Sequence, residues 1–339
     1  MSEVLLEALM QLFALLTDVK QSGNVGRARV EEFLSRQLNS EYVELFLKRY
    51  DYYLEKFHSN TLSTDDNVRK QQNSVNINKL ITLCEEVNKE IDLDAKILIL
   101  SSFLNFILKP DITDEEESFV DALADNLRIP AEDYWNIKTF TLLEPLNVID
   151  KGKLLVINGH PDKPHPDIKH IYNSKQRVDV WILHTSSTNQ FFFKYSGERN
   201  LYLNGHKIEI GKVYPMQPGA VINTSHVKPV YYGHIAEKFI TRQDTGRIIY
   251  RAVDIEYKFG DNSIGIHKFS FLGKSGQLVG IMGGSGTGKS TLINVMNGNY
   301  KLSHGSITIN GYDLKRDKEL LKGVIGYVPQ DDMLNEELT

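Results

Sequence analysis

The feature that most constrains the fold of this 339-residue chain is the octet Gly283–Ser290, which reads GGSGTGKS. It satisfies the pattern G-x-x-x-x-G-K-[ST], in which a glycine-rich turn lets successive backbone N–H groups converge on a phosphate. The apolar run Leu278–Met282 precedes the octet, and the apolar-periodic segment Lys289–Met296 follows it. The sequence therefore predicts a central parallel strand, a phosphate-binding loop and a helix, with the positive end of the helix directed at the same phosphate.

Each residue type in the loop has a physical reason to be there. Gly286 and Gly288 allow the tight turn, Lys289 is expected to bridge the β- and γ-phosphates, and the Ser290 hydroxyl is expected to bind Mg²⁺. Asn297-Gly298 predicts the end of the helix that follows. The predicted nucleotide-binding residues of the loop are Gly283, Gly284, Ser285, Gly286, Thr287, Gly288, Lys289, Ser290 and Thr291.

Further segments follow the loop in a recognisable order. They are Leu292–Gly298 (LINVMNG), Gly305–Gly311 (GSITING) and Gly326–Gln330 (GYVPQ). Together with the loop they resemble the first half of the ATP-binding domain of ABC transporters, with its Walker A motif, the strand pair after its first helix and its Q-loop. The following pair Asp331-Asp332 is similar to the G-type, exporter-like branch of that family.

The resemblance implies ATP and Mg²⁺ as cofactors and assigns two catalytic positions, Lys289 and Gln330. In the family, the Q-loop glutamine contacts the region of Mg²⁺ and the γ-phosphate, so Gln330 joins Ser290 as a predicted metal contact. The family also stacks an aromatic ring on adenine about one strand before Walker A. Phe259 is the first choice for this ring and Tyr257 the second, and packing of Phe259 in the core is the alternative.

Three motifs of the same family are not found: an LSGGQ-like signature, an apolar run ending in Asp-Glu (Walker B), and a switch histidine. The region from residue 251 has only 89 residues, so we expect an incomplete ATP-binding domain that binds nucleotide at most. Hydrolysis requires a carboxylate that positions water and a signature loop from a second subunit. Val324–Val328 is predicted to be a buried strand.

The resemblance implies a parent protein that is an ATPase coupled to transport. Such a parent would act at the cytoplasmic side of a membrane, with a transmembrane domain and a second ATPase domain as partners, whereas the chain itself is expected to be soluble. Two alternatives stay open: a soluble ABC-type ATPase of translation or DNA maintenance, and a protein-interaction fragment without ATPase activity.

The first part of the chain is acidic and helical in pattern. Residues 1–150 carry 15 Lys and Arg against 27 Asp and Glu, a balance of −12, whereas residues 151–339 carry 24 against 17. An acidic surface argues against nucleic-acid binding, because phosphate contacts supply most non-specific affinity. The single cysteine, Cys84, excludes an intramolecular disulfide. Apolar stripes predict helices over Leu5–Val19, Ser40–Phe57, Val75–Ile91, Ala95–Leu108 and Asp114–Leu127, and Leu62–Asn73 is predicted to be a loop.

The helical part resembles TerB-type tellurite-resistance domains through Ile97–Leu108 and the segment 111–127. The resemblance suggests a divalent-metal site at Asp111, Asp114, Glu115 and Glu117. Helix-dipole complementation explains the same acids, and Thr113 to Glu116 reads as a capping box. His160, His165 and His170 are spaced five apart in a loop, which favours solvated side chains over a zinc site.

From about residue 146 the pattern changes to period two, which predicts a small β-sandwich. Asn204-Gly205 predicts a tight hairpin and Pro218-Gly219 a second turn. The segments Leu201–Ile210 and Val213–Ile222 resemble the last strands of a forkhead-associated (FHA) domain, although the arginine and serine that bind phosphothreonine in that family have no counterpart here. The predicted strands are Leu154–Asn158, Val178–His184, Gln190–Tyr195, Leu201–Leu203, Lys207–Ile210 and Val230–Tyr232.

The sequence thus predicts a multidomain chain. Residues 1–145 form an all-α, TerB-like domain, residues 146–245 an FHA-like β-sandwich, and residues 246–339 an incomplete P-loop α/β nucleotide-binding domain. The expected partners are ATP, a transmembrane domain and a second ATPase domain, with no nucleic acid.

Overall fold

The structure is a computed structural model, and it describes most of the chain. By contacts the chain divides into two compact units, which are described separately: unit 1 is 1–156, 178–198 and 209–215, and unit 2 is 157–177, 199–208 and 216–339. The described residues are 3–17, 19–35, 38–58, 66–109, 112–174, 179–197, 200–224, 227–240, 248–260, 263–318, 320–321 and 323–328.

Unit 1 contains the helices of the first part of the chain. They are α1 (Glu3–Leu16), α2 (Val19–Ser35), α3 (Ser40–His58), α4 (Asp66–Glu90), α5 (Leu93–Ile107), α6 (Asp114–Asn126) and α7 (Ala131–Leu142). The apolar stripe of α1 is fully buried, and its Phe13 ring stacks on Phe103 of α5 with centroids 4.2 Å apart. Burial of such rings supplies the main stabilisation of a helical core.

The helix predictions are confirmed except at three places. The stripe predicted over Leu5–Val19 divides, because α1 ends at Leu16 and Val19 begins α2. The predicted loop Leu62–Asn73 is wrong from Asp66 onward, since α4 begins there; residues 62–65 lie outside the described residues. Two helices were not predicted from the sequence, α2 and α7, and Pro130 is the N-cap of α7.

Four strands lie in the sheet of unit 1, in the order β1-β3-β4-β7. They are β1 (Leu154–Asn158), β3 (Val180–His184), β4 (Phe191–Tyr195) and β7 (Val213–Met216), and β2 (Lys169–Tyr172) belongs to unit 2. Antiparallel β3 and β4 are almost wholly buried, which the run of three phenylalanines in β4 requires. Asn105 of α5 holds β7, because its side-chain amide donates to the Val213 carbonyl at 2.7 Å and accepts from the Val213 N–H at 3.0 Å.

Lys194 of β4 joins the sheet of unit 1 to its helices. Only 8% of this residue is exposed, and its ammonium donates to three carbonyl oxygens at the C-terminus of α7, those of Phe140 (3.1 Å), Thr141 (3.0 Å) and Leu143 (2.8 Å). The last carbonyls of a helix lack intrahelical donors, and a cation there also complements the helix dipole. Burial lowers the pKa of the Lys194 ammonium, against an opposing effect of Glu144.

Unit 2 also contains a four-stranded sheet in the order β6-β5-β8-β9, followed by helix α8. Asn204 (φ 50°) and Gly205 (φ 81°) form the predicted tight hairpin, and Gly219 (φ 87°) forms the second turn. The strand predicted at Val230–Tyr232 corresponds to β9, which begins earlier, at Val227, and ends at Tyr231 because Tyr232 begins α8. These elements are β5 (Tyr202–Leu203), β6 (His206–Lys207), β8 (Val221–Thr224), β9 (Val227–Tyr231) and α8 (Tyr232–Ile240).

The remainder of unit 2 is a four-stranded antiparallel sheet with one helix. The strands lie in the order β11-β10-β12-β13, and Ala252, Ile255 and Ile307 form a core with Val295 of helix α9. Helix α9 has its predicted bounds, and the predicted stop follows it, with Asn297 as the C-cap and Gly298 at φ 84°. The elements are β10 (Ile249–Lys258), β11 (Ile264–Lys274), α9 (Lys289–Met296), β12 (His304–Ile309) and β13 (Tyr312–Asp313).

Two predicted strands of this region are wrong. Leu278–Met282 is not a strand: Leu278 is 101% and Met282 94% exposed. Val324–Val328 forms turns and irregular backbone, with Val328 90% exposed. A buried parallel strand needs hydrogen-bonded neighbours and helices on both faces of its sheet. Within the described residues no strand pairs with either segment, so an apolar sequence alone does not make them strands.

The structure thus has helices in the first part of the chain and β-sheets later, as predicted. It does not identify the helical part as TerB-like or the middle part as FHA-like, and the three-domain division stays a prediction beside the two contact units. Among the described residues, no helix is both long and apolar enough to cross a lipid bilayer.

Candidate nucleotide-binding site

The glycine-rich loop lies between an irregular segment and α9, and its backbone needs glycine. Gly286 has φ 77° and Gly288 φ 88°, a left-handed conformation that residues with a Cβ rarely adopt. A Cβ at Gly288 would also lie 3.6 Å from the Gly265 carbonyl oxygen, so the end of the loop rests against β11. Two of the predicted loop glycines are therefore required by the backbone itself.

Two side chains of the loop bond to its own carbonyls. The Thr287 hydroxyl donates to the Gly284 oxygen at 2.9 Å, and the Lys289 ammonium donates to the oxygens of Gly283 (2.9 Å) and Gly284 (2.5 Å). The lysine is therefore held over the loop rather than extended into solvent. Each of these bonds leaves the loop N–H groups untouched, because the bonds use carbonyl oxygens only.

The N-terminus of α9 presents N–H donors for which the described residues supply no acceptor. Gly288 is the N-cap and supplies no side-chain cap, and the first helical bond joins Leu292 N to Gly288 O at 2.8 Å. The N–H groups of Lys289, Ser290 and Thr291 consequently have no intrahelical acceptor. Ser290 is exposed in the first turn, and no partner for its hydroxyl is found among the described residues. This arrangement fits an anion at the amides and a hard cation such as Mg²⁺ at the hydroxyl.

An aromatic cluster stands next to the same loop. The Phe259 ring, 43% exposed, lies edge-on to Tyr257 with centroids 5.2 Å apart, and Tyr257 stacks on Tyr300 at 5.3 Å. A Cβ at Gly265 would meet the Tyr257 ring at 2.7 Å and the Phe259 ring at 2.9 Å. Gly265 thus lies between the aromatic cluster and Gly288. One face of Tyr257 is taken by Tyr300, which leaves Phe259 the more accessible ring.

The remaining predicted residue of the site, Gln330, lies outside the described residues, as do Asp331 and Asp332. The structure adds one residue that the sequence analysis missed, Gly265. A glycine inside a strand often marks a close approach of other atoms, so its position between Ile264 and Ile266 was a usable signal.

The other candidate metal sites gain no support. Asp111 lies outside the described residues, and Glu117 forms an ion pair with Lys138 at 2.7 Å. The Nε2 atom of His170 bonds to Asn158 Oδ1 at 2.9 Å. Across the described parts of the chain, no three His, Cys, Asp or Glu side chains converge as metal ligands.

Comparison with known proteins agrees with the geometry of the loop. Residues 266–339 match the family model described as ABC transporter. The chain is 42% identical over 66 residues to the Nod factor export ATP-binding protein I of Azorhizobium caulinodans, which is 20% of this chain and 21% of that protein. It is 37% identical over 93 residues, 27% of this chain and 16% of the relative, to the probable multidrug resistance ABC transporter ATP-binding/permease protein YheI of Bacillus subtilis.

A fungal relative, the ABC-type transporter claG of Penicillium crustosum, is 46% identical over 66 residues, 20% of this chain and 9% of that protein. The chain therefore matches about a fifth or less of the length of these relatives. No solved structure matches. The similarity to ABC transporters thus covers residues 266–339, from within β11 onward, and a minor part of the chain.

Proposed function

We propose that this chain binds ATP with Mg²⁺ at residues 283–291, as the nucleotide-binding part of an ATPase that drives transport across a membrane. The observation that carries the proposal is the N-terminus of α9. It begins at a left-handed glycine, has no side-chain cap and leaves three N–H groups without intrahelical acceptors. Helix N-termini of this kind bind phosphate groups through those N–H groups and the helix dipole.

In the proposed complex, the loop amides and Lys289 hold the phosphates. The Lys289 ammonium exchanges its bonds with the loop carbonyls for bonds with phosphate oxygens, which are stronger because both partners are charged. Ser290 and Gln330 are the proposed contacts of Mg²⁺, which would neutralise charge on the β- and γ-phosphates. The Phe259 ring is the proposed stacking surface for adenine, since Tyr300 covers one face of Tyr257.

The wider role is proposed from the relatives. Their names describe export or multidrug resistance and ATP-binding or permease proteins. We infer that ATP binding here serves transport, with a transmembrane domain and a second ATP-binding domain as partners, at the cytoplasmic side of the membrane. The TerB-like and FHA-like parts would then be docking or regulatory regions of the same protein.

The direct test is titration of the full chain with a fluorescent ATP analogue, with Mg²⁺ and with EDTA. We expect saturable binding that is weaker without Mg²⁺. Charge-assisted hydrogen bonds contribute about 1.5–3 kcal/mol, so Lys289→Ala should weaken binding by roughly 10- to 150-fold. Lys301→Ala is the matched control, because Lys301 is an exposed lysine beyond the end of α9.

Three results would count against the proposal. They are no binding by the unchanged chain, equal loss in Lys289→Ala and Lys301→Ala, and binding that is indifferent to Mg²⁺. The first of these would favour the alternative of a protein-interaction region. The exposed side chains of Leu278 and Met282 beside the loop give that alternative its physical basis.

A further inference from the structure

Helix α8 is seated on the core of the nucleotide-binding region, all within unit 2. Its last residue, Ile240, is 5% exposed and packs with Ile309 of β12 and with Leu321. Partly buried side chains complete this cluster, which we call the α8 seat: Ile248, Tyr250, Tyr312, Leu314, Val324 and Ile325. The helix that ends the middle β-region thus shares a core with the strands beside the candidate site.

The first residues of α8 are packed as closely against the rest of unit 2 as its last residue is. Gly323 has φ 75°, and a Cβ at this position would lie 2.5 Å from Cε1 of the Tyr232 ring. A Cβ at Gly233 would lie 3.3 Å from the Gly323 carbonyl oxygen. Both ends of α8 therefore contact the segment that precedes the irregular backbone of residues 324–328.

Tyr250 connects the α8 seat to the helix of the candidate site. Its ring packs in the α8 seat and also in the core under α9. Its hydroxyl donates to the carbonyl oxygen of Met296, the last residue of α9, at 2.6 Å. Burial raises the pKa of this hydroxyl, so it stays protonated and able to donate. Leu314 also belongs to both clusters and lies against Gly298, just past the end of α9.

We propose that Tyr250 is a positioning residue for the nucleotide site: by holding the C-terminus of α9 it couples the seating of α8 to the phosphate-binding loop. Helix α9 has eight residues and is therefore about 12 Å long. A rigid element this short transmits a displacement of one end to the other. The proposal rests on the proposed nucleotide binding. It implies that a change in the packing of the middle β-region, which ends in α8, changes the affinity of the site for nucleotide.

The test compares two tyrosines of the α8 seat. Tyr250→Phe keeps the ring and removes only the hydroxyl, and Tyr312→Phe is the control, because the structure gives the Tyr312 hydroxyl no hydrogen bond within the described residues. The readout is the Kd of the full chain for a fluorescent ATP analogue with Mg²⁺, with the thermal midpoint of the nucleotide-free chain measured alongside. We expect about a two- to tenfold rise of Kd for Tyr250→Phe and none for the control.

A double-mutant cycle tests whether α8 acts through Tyr250. Ile240→Ala removes the anchor of α8 and should also raise Kd, and in the Ile240→Ala/Tyr250→Phe variant the two effects should be non-additive. Gly323→Ala disturbs the packing of α8 through the Tyr232 ring instead. It serves as the second variant, in case Ile240→Ala does not fold. Hydrogen exchange at the α9 amides, measured without nucleotide, should rise in each of these variants.

The outcomes separate the two proposals. If the unchanged chain does not bind the nucleotide analogue, the proposed function is wrong and the positioning role is wrong with it. If the unchanged chain binds but Tyr250→Phe and Tyr312→Phe have equal Kd, or the effects of Ile240→Ala and Tyr250→Phe simply add, only the positioning role is overturned.

Discussion

Helices α6 and α9 differ at their N-termini, where each helix has unpaired N–H groups and the positive end of its dipole. In α6, Glu116 N donates to the Thr113 hydroxyl at 3.2 Å, while the Glu116 carboxylate accepts from Thr113 N at 3.0 Å. Four acidic residues, 114–117, occupy its first turn. In α9 the corresponding cap is Gly288, and no side-chain cap or acidic residue is present. The N-terminus of α6 is neutralised by its own side chains, whereas that of α9 has no such side chain and is where we propose that phosphate binds.

The comparison shows how stability and function divide between similar elements. An uncapped N-terminus gives up roughly 0.5–2 kcal/mol of stability relative to a Ser, Thr, Asp or Asn cap. Helix α7 also lacks a side-chain cap, at Pro130, so the open terminus of α9 supports an anion site only together with the glycine-rich loop and the Lys289 ammonium beside it. This interpretation can be tested by making α6 and α9 resemble each other.

The largest effect is expected from giving α9 a carboxylate cap. Gly288→Asp places a negative charge where the phosphates are proposed to bind, and it should weaken MgATP binding by more than about 100-fold, or about 2.7 kcal/mol. The measurement is the Kd for a fluorescent ATP analogue. Gly288→Asn is the matched control, because Asn has the same shape without the charge and tolerates a positive φ similarly.

If Gly288→Asn loses as much affinity as Gly288→Asp, backbone strain rather than charge explains the effect. The open N-terminus would then not be the feature that attracts an anion, and the comparison with α6 would fail.

An intermediate effect is expected from removing the cap of α6. Thr113→Ala deletes the hydroxyl that accepts from Glu116 N, and it should lower the free energy of unfolding by about 1 kcal/mol. Urea unfolding followed by circular dichroism measures this loss. Ser118→Ala, in an exposed position within the same helix, is the control and should leave stability within about 0.5 kcal/mol of the unchanged chain. A change of MgATP affinity in Thr113→Ala would contradict the division of roles.

The smallest effect is expected from Glu116→Gln. Glutamine preserves the capping-box bond to Thr113 N but removes the charge that faces the helix dipole and the Lys109 ammonium, 2.8 Å away. We expect a loss of about 0.3–1 kcal/mol that shrinks as salt is added, because both side chains keep some contact with solvent and salt screens their charges. A loss as large as that of Thr113→Ala would show that charge, not hydrogen bonding, stabilises this terminus.

The sequence predicted local features better than it predicted which segments pair as strands. The capping box at Thr113, the Asn204-Gly205 hairpin and the bounds of α9 follow from residues next to each other in the chain, and all three are confirmed. The strands predicted at Leu278–Met282 and Val324–Val328 are wrong, because a buried strand depends on neighbours that can be far away in sequence. Apolar composition gives no information about whether those neighbours are present.

The candidate site shows the same limit. The loop residues were found from their spacing alone, whereas the contact of Gly265 with two aromatic rings and the bond from Tyr250 to Met296 join residues on different elements. Lys194 is a further example. Nothing in the sequence FFFKY indicates that its lysine is buried against the end of a helix more than fifty residues earlier.

That buried lysine has a practical consequence for dissecting the protein. A truncation after residue 145 would retain α7 but discard β4, leaving the carbonyls of Phe140, Thr141 and Leu143 without their shared donor. It would also strip Asn105 of its hydrogen bonds with Val213. Cutting the chain at the end of the helical part would therefore expose helix surface that the sheet of unit 1 covers. A soluble, native-like N-terminal piece must extend at least through residue 215.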